Sequence, residues 1–197
     1  MHTYTVEPLY VPSGDETIAA DFYLPKSNIK PAVIIMAHGF AGLRQFKLVQ
    51  YAQRFAKAGY AVILFDYRYW GGSTGKPREL VSLTAQLDDW KTIVQFVSNC
   101  KLIDNRRIIL WGTSLSGGYA LSLATDLKNI QAVMVQVPYV DGAETAKLYP
   151  LQRYPEALKR SSQDYMGSKM GLVPKTLPVV DQYKLCFLPT SDSYYGY

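Results

Sequence analysis

The sequence predicts a three-layer α/β fold in which a mostly parallel sheet lies between helices. Short, continuously apolar stretches alternate along the chain with longer segments whose apolar residues recur every three or four positions. The first pattern is typical of strands buried on both faces, and the second of helices with one apolar face. Strands that alternate with helices favour right-handed βαβ units and therefore a parallel sheet. The chain has 197 residues, 48% of them hydrophobic and 19% charged, so it is long enough to enclose such a core.

A predicted antiparallel hairpin opens the chain and forms one edge of the sheet. Its two strands span residues 3–11 and 17–24, and the turn-like sequence PSGD at residues 12–15 joins them. After the hairpin, strands and helices alternate. The predicted strands are residues 32–37, 61–65, 107–111 and 132–137, and the predicted helices are residues 45–58, 81–98 and 115–126.

The pattern changes after residue 137, where prolines become frequent and no further strand of the earlier type follows. We therefore divide the chain into a core of residues 1–137 and an incomplete, lid-like segment of residues 138–197. Short helices and loops of this segment are expected to lie over the carboxyl edge of the sheet.

The sharpest chemical signal is the sequence GTSLSGG at residues 112–118, between a predicted strand and a predicted helix. Small residues allow a tight turn there, and the helix N-terminus directs N–H groups toward developing negative charge. This arrangement is that of a nucleophile elbow with Ser114 as the nucleophile. The competing interpretation is a glycine-rich helix start that contains an incidental serine.

Two further motifs accompany the elbow: HGFAG at residues 38–42 follows the first parallel strand, and DYRYWGGSTGKPR at residues 66–78 follows the next. With them the chain resembles the α/β-hydrolase superfamily, and most of all bacterial hydrolases related to dienelactone hydrolases, acyl esterases and X-Pro peptidases. The resemblance covers nearly all of residues 15–145 and implies an α/β-hydrolase fold. Ser116 departs from the commonest elbow, which has a third glycine there, but serine is small enough for the turn to survive.

The resemblance also implies roles for individual residues. The backbone N–H groups of Phe40 and Leu115 would form an oxyanion hole, and a carboxylic ester, thioester or amide would be hydrolysed through an acyl-Ser114 intermediate. In the superfamily an acid and then a histidine follow the nucleophile along the chain. Asp141, in a PYVDG turn after the fourth parallel strand, is the best-placed acid.

No histidine follows Ser114, because the only two in the sequence are His2 and His38. His38 precedes the oxyanion loop, so we expect it to hold that loop by hydrogen bonding rather than to act as the base. Asp66 with Arg68 is expected to brace the loop that follows them. The chain is therefore interpreted as the amino-terminal two-thirds of an α/β-hydrolase, truncated after the sixth strand and without its catalytic histidine.

Two functions remain open at this point. The chain is either a serine hydrolase whose base comes from residues absent here or from another chain, or a catalytically inactive scaffold that serves as a binding domain. A nucleotide or phosphate binder is disfavoured, since neither GxGxxG nor GxxxxGK[ST] occurs at a strand-to-helix turn. Five aromatic residues could line a pocket or simply pack: Tyr67, Tyr69, Trp70, Tyr119 and Tyr139.

The composition indicates which kinds of partner the protein binds and where in the cell it is found. The formal net charge is +5 without a long basic run, which does not predict nucleic-acid binding. Neither a signal-like start nor an apolar run long enough to span a bilayer is present, so we expect a cytoplasmic protein without a membrane partner. The two cysteines lack metal-type spacing, and no cofactor or metal is expected. The expected partners are a small ester or amide substrate and a second copy, bound through an exposed strand at residues 132–137.

Overall fold

The computed structural model describes residues 1–147, 154–182 and 186–188. It divides into two compact units, Met1–Val140 and Asp141–Tyr197. The strands of the first unit are β1 (Tyr4–Ser13), β2 (Glu16–Pro25), β3 (Val33–Ala37), β4 (Ala61–Phe65), β5 (Ile108–Thr113) and β6 (Ile130–Gln136). Its helices are α1 (Leu48–Lys57), α2 (Leu83–Ser98) and α3 (Leu115–Asp126), and the second unit contains α4 (Gly142–Ala146) and α5 (Tyr154–Lys169).

The described strands form one six-stranded sheet in the order β1-β2-β4-β3-β5-β6. The hairpin β1–β2 is antiparallel, and β2 is antiparallel to β4. All other neighbours are parallel, with β3 between β4 and β5 and with β6 beside β5. The predicted sheet, mostly parallel with an antiparallel hairpin at one edge, is therefore confirmed.

Helices cover both faces of the sheet, as the alternation of side chains along β3 shows. Val33 and Ile35 belong to a core that includes residues of α2 and α3, whereas Ile34 and Met36 belong to a second core that includes residues of α1. Successive side chains of a strand point to opposite faces, so a strand whose residues are all buried must have a layer on each side. The predicted three-layer α/β/α architecture is confirmed.

The hairpin differs from the prediction in its turn. Pro12 pairs with Thr17 and Ser13 with Glu16, so only Gly14 and Asp15 lie in the loop. The predicted turn at residues 12–15 is thus too long. Proline is tolerated at position 12 because β1 is an edge strand, where one missing N–H donor breaks no pairing on the open side.

Element ends also shift at two places that matter for the site. The predicted strand 107–111 extends to Thr113 as β5, so Gly112 lies within the sheet. The predicted strand 132–137 ends one residue earlier as β6, because Val137 has a φ of 42° and leaves the extended conformation.

No helix in the described parts of the chain combines the length and the apolar character that crossing a membrane requires.

Candidate active site

Ser114 lies at a sharp turn between the end of β5 and the start of α3. Its φ is 52° and its ψ is −122°, a conformation that residues other than glycine rarely adopt. The Ser114 N–H donates to the Gln136 carbonyl at 3.0 Å, and the Ser114 carbonyl accepts from the N–H of Tyr139 at 2.9 Å. The strained serine is therefore held by backbone bonds to β6 and to the segment after it, which is the form expected of a nucleophile elbow.

Two glycines let the backbone close around this turn. A Cβ at Gly112 would lie 2.3 Å from the Ser116 carbonyl oxygen, and a Cβ at Gly118 would lie 2.1 Å from the Tyr139 carbonyl oxygen. Both distances are far below van der Waals contact, so neither position accepts a side chain without movement of the backbone. Close contacts therefore explain why the motif has glycine at position 112, before α3, and at position 118, within α3.

The Ser116 side chain is fully buried beneath the elbow. Its hydroxyl lies near the Tyr67 phenol without meeting the geometry of a hydrogen bond, and the described residues offer it no other partner. Burial raises the pKa of Tyr67 well above its ordinary value, and the neighbouring Ser116 and Trp90 side chains offset only part of that increase. The serine in place of a third glycine is thus accommodated in the core.

The loop after β3 reaches Ser114 through Gly39. A Cβ at Gly39 would lie 2.9 Å from Ser114 Cβ and 3.0 Å from the Thr113 carbonyl oxygen. The backbone of this loop therefore packs directly against the elbow. The predicted oxyanion donors, Phe40 and Leu115, are the next residues in the chain after this contacting pair, Gly39 and Ser114.

His38 is buried beside this loop, and its ring nitrogens face groups other than Ser114. Its Nδ1 lies 2.9 Å from the Gly39 carbonyl oxygen, and its Nε2 lies 3.8 Å from Asp66 Oδ1. Burial lowers the pKa of His38 more than the Gly39 carbonyl and Asp66 raise it, so the imidazole is neutral near pH 7. The ring also packs edge-on against Tyr67, with centroids 4.8 Å apart.

Asp66 does brace the loop that follows it, since its Oδ2 accepts from the Gly72 N–H at 3.1 Å, but its charged partner is Arg44 and not Arg68. Asp66 binds Arg44, accepting from its backbone N–H at 2.8 Å and from its guanidinium group. Arg68 instead pairs with Asp89 on α2, where Nε lies 2.7 Å from Oδ1. Arg44 is not among the site residues predicted from the sequence, although it is a basic residue close after the HGFAG motif.

The remaining candidates lie apart from the elbow or in the second unit. His2 packs against Gly59, just before the start of β4, whereas Ser114 follows the end of β5. Because these strands are parallel, His2 lies near their amino ends, whereas Ser114 lies at their carboxyl ends. Asp141 caps α4, its Oδ1 accepting from the N–H groups of Ala143 and Glu144 at 2.8 and 2.9 Å.

The aromatic residues divide by burial. Tyr67, Trp70 and Tyr119 are buried packing residues whose polar atoms bond within the core. Tyr139 is 40% exposed, and its backbone N–H donates to the Ser114 carbonyl. Tyr69 is partly buried and has a φ of 74° in the loop after β4.

Known proteins resemble the chain both in sequence and in fold. Residues 29–181 match the family described as serine aminopeptidase, S33. The quorum-quenching protein AidA of Acinetobacter baumannii is 34% identical over 189 residues, which are 94% of this chain and 61% of that protein. The thiohydrolase aneE of Aspergillus aculeatus is 34% identical over 128 residues, 65% of this chain and 40% of that protein.

A solved structure supports the fold. The α/β hydrolase GrgF from Penicillium superposes with a TM-score of 0.77 at 23% identity, covering 90% of this chain and 60% of that one. The chain thus spans less than two thirds of the length of each of these proteins.

Proposed function

Because the chain belongs to the serine aminopeptidase S33 family of α/β-hydrolase-fold proteins, we propose that Ser114 is the nucleophile of an acyl hydrolase. The substrate class is a carboxylic ester, a thioester or an amide, and the intermediate is an acyl ester on Ser114 Oγ. The observation that carries the proposal is the strained elbow conformation of Ser114, with a φ of 52° at a strand-to-helix turn.

Catalysis proceeds in two steps. Ser114 Oγ attacks the carbonyl carbon while its proton passes to a base, and the N–H groups of Phe40 and Leu115 stabilise the oxyanion. The leaving group then departs with a proton from the protonated base, and water hydrolyses the acyl ester by the reverse route. Each oxyanion donor contributes about 3 kcal/mol to transition-state stabilisation in comparable enzymes.

The base is proposed to come from outside these 197 residues. His2 lies near the amino ends of the parallel strands, the nitrogens of His38 face Gly39 and Asp66, and no other histidine is present. Asp141 stays the acid that the sequence predicts, and in the structure its Oδ1 caps α4.

Among the substrate classes, esters and thioesters are favoured over amides. Alkoxide and thiolate leaving groups need less protonation than an amine does, so they suit a site whose acid–base partner is supplied from elsewhere. The relative named a thiohydrolase supports including thioesters.

Labelling with a fluorophosphonate, followed by intact-mass measurement, tests the proposal. Imidazole added to the buffer supplies the missing base, Ser114→Ala is the control, and circular dichroism confirms folding. We expect one adduct that depends on Ser114 and forms faster with imidazole. A folded wild-type chain that forms no adduct even with imidazole would contradict the proposal.

That negative result would support the second candidate, a catalytically inactive scaffold that acts as a binding domain. The absence of any histidine after Ser114 favours this alternative. Labelling without added imidazole would instead mean that a base already lies within reach of Ser114.

Self-association through β6 is proposed as a further property of the chain. Within the described residues β6 pairs only with β5, and Val135 on it is 37% exposed. An apolar edge strand with unpaired N–H and C=O groups favours pairing with a second copy. Light scattering after size exclusion should show a mass that rises with concentration, whereas a constant monomer mass would contradict this proposal.

A further inference from the structure

One buried carboxylate joins the two loops that follow β3 and β4. Asp66 is 2% exposed at the carboxyl end of β4. Its Oδ1 accepts from the Arg44 N–H at 2.8 Å, and its Oδ2 accepts from the Gly72 N–H at 3.1 Å and from the Arg44 guanidinium group. Asp66 thereby ties the loop after β3 to the loop after β4 through both of its oxygens.

The guanidinium group of Arg44 is enclosed between two carboxylates. Its Nε donates to Asp21 Oδ2 on β2 at 3.0 Å, and the side chain is only 14% exposed. Although burial lowers the pKa of Arg44, the adjacent Asp66 and Asp21 raise it by more. Charge-assisted hydrogen bonds that are largely shielded from solvent hold their geometry better than a surface ion pair does.

The backbone around the carboxylate is shaped to fit it. A Cβ at Gly71 would lie 2.2 Å from Asp66 Oδ2, and the φ of Gly71 is +51°. A Cβ at Gly72 would lie 3.0 Å from a terminal nitrogen of Arg44. The loop after β4 therefore closes directly onto the Asp66–Arg44 pair.

The loop between His38 and Arg44 is thus fixed at both ends. Gly39 packs against Ser114 at one end, and Arg44 is bound to Asp66 at the other. Between them, the Gly42 N–H donates to the Gly39 carbonyl at 3.3 Å, which keeps the loop curled. Phe40 lies within this short span, and an oxyanion donor acts only when it is held about 2.7–3.1 Å from the developing charge.

We propose that Asp66 is a positioning residue for the oxyanion hole, acting through Arg44 on the backbone of residues 38–44. This inference rests on the function proposed for Ser114. Asp66 touches no reacting atom; its role is to keep the Phe40 N–H at a fixed place relative to the nucleophile.

The chain contains a matched control for this role. Asp89 on α2 is also a fully buried carboxylate, accepting from Arg68 Nε at 2.7 Å and from the Arg68 N–H at 2.9 Å. A third donor to Asp89 is the Ser13 hydroxyl on β1, so the donors to Asp89 in the described part of the chain lie outside the loop 38–44. Asp89→Asn weakens a comparable buried acid–guanidinium pair elsewhere in the same unit.

The first measurement is hydrogen–deuterium exchange, read by mass spectrometry on peptides of the 197-residue chain. In Asp66→Asn we expect exchange of the peptide covering residues 38–44 to rise about tenfold or more, with the peptide covering β5 and α3 unchanged. In Asp89→Asn, exchange at residues 38–44 should stay as in the wild type. Equal acceleration in both variants, or none in Asp66→Asn, would overturn the proposal.

Arg44→Gln provides a second variant in case Asp66→Asn does not fold. It removes the guanidinium partner but leaves the Asp66 bonds to the backbone N–H groups of residue 44 and of Gly72 in place. Exchange at residues 38–44 should therefore accelerate, but by less than in Asp66→Asn, and unchanged exchange there would overturn the proposal.

The second measurement reads the oxyanion hole itself, with imidazole present as the base. An oxygen ester and its thiono ester differ only in C=O against C=S, and sulfur is the larger atom and the weaker acceptor. The Ser114-dependent rate ratio of the two esters thus reports how well the donors fit an oxyanion. We expect Asp66→Asn to lower this ratio about tenfold or more, through kcat rather than KM, and Asp89→Asn to leave it unchanged.

The two measurements separate this proposal from the function on which it rests. A wild-type chain with no Ser114-dependent turnover would refute the proposed function, and the exchange data alone would then decide whether Asp66 positions the loop. Ser114-dependent turnover with an unchanged ester ratio in Asp66→Asn would refute the positioning role and leave the proposed function intact.

Discussion

Replacing Gly39 with alanine tests the contact between the loop after β3 and Ser114. The added methyl carbon would lie 2.9 Å from Ser114 Cβ and 3.0 Å from the Thr113 carbonyl oxygen. Carbon atoms in contact are about 3.5–4.0 Å apart, so the loop must retreat by roughly 0.6–1.1 Å. The φ of Gly39 is not positive, so the effect comes from the methyl contact and not from backbone strain.

A retreat of this size would take the Phe40 N–H out of hydrogen-bonding range of an oxyanion. We expect the Ser114-dependent rate to fall about 100-fold, the effect of losing one oxyanion donor, and the chain to lose about 1–3 kcal/mol of stability through overpacking. The rate is measured as fluorophosphonate labelling in imidazole buffer, and the stability by urea unfolding followed by circular dichroism.

Gly14→Ala is the control, since Gly14 has a φ of +61° and a Cβ there would meet nothing within 4 Å. This variant should lose about 1–2 kcal/mol from backbone strain alone and label at the wild-type rate. Labelling of Gly39→Ala within about threefold of the wild-type rate would refute the reasoning, because the loop would then not position an oxyanion donor.

Three further predictions concern side chains and close contacts within the first unit. Burial lowers the pKa of His38 below its ordinary value of 6.5, so the unfolded chain takes up a proton that the folded chain does not. Stability should therefore fall as pH drops below about 6.5, by up to about 1.4 kcal/mol per pH unit, and His38→Gln should remove that part of the slope in urea titrations. Burial also raises the pKa of Tyr23 to about 12 and that of Tyr67 further still. In an ultraviolet titration both should stay protonated at about pH 11, and Tyr23→Phe should leave the absorbance change below that pH unaltered. Gly118→Ala places a methyl carbon 2.1 Å from the Tyr139 carbonyl oxygen. It should cost about 1–3 kcal/mol or more in urea unfolding, and wild-type stability would contradict the close approach seen there.

The arrangement of elements was predictable because each buried strand is a contiguous apolar run. Residues 33–37 and 61–65 lie in the interior of the sheet and are buried throughout, so their sequences carry no alternation that could be mistaken for a one-sided strand. Element ends were less predictable. Pro12 favours a turn locally, yet it lies in a strand because β1 is at the edge of the sheet.

The elbow was predictable for a related reason: its motif, its strand and its helix are consecutive in the chain. The partner of Asp66 was not. Arg68 is two residues away in sequence, but β4 lies beside β3 in the sheet, so the carboxylate meets the loop after β3 and its Arg44. Arg68 faces α2 instead and binds Asp89. Strand order decides between these partners, and local sequence does not encode it.

The sequence by itself determined the fold class and the identity of the candidate nucleophile, because periodicity and the elbow motif are properties of neighbouring residues. Only the tertiary structure decided which buried charges pair and which glycines accept close contacts. Gly39 meets Ser114, and Gly118 meets Tyr139, only after separate segments have packed together. Such contacts depend on which strands are neighbours and on where the loops cross. Strand order and loop paths are set by the free energy of burying the whole core, and not by the sequence of any one segment.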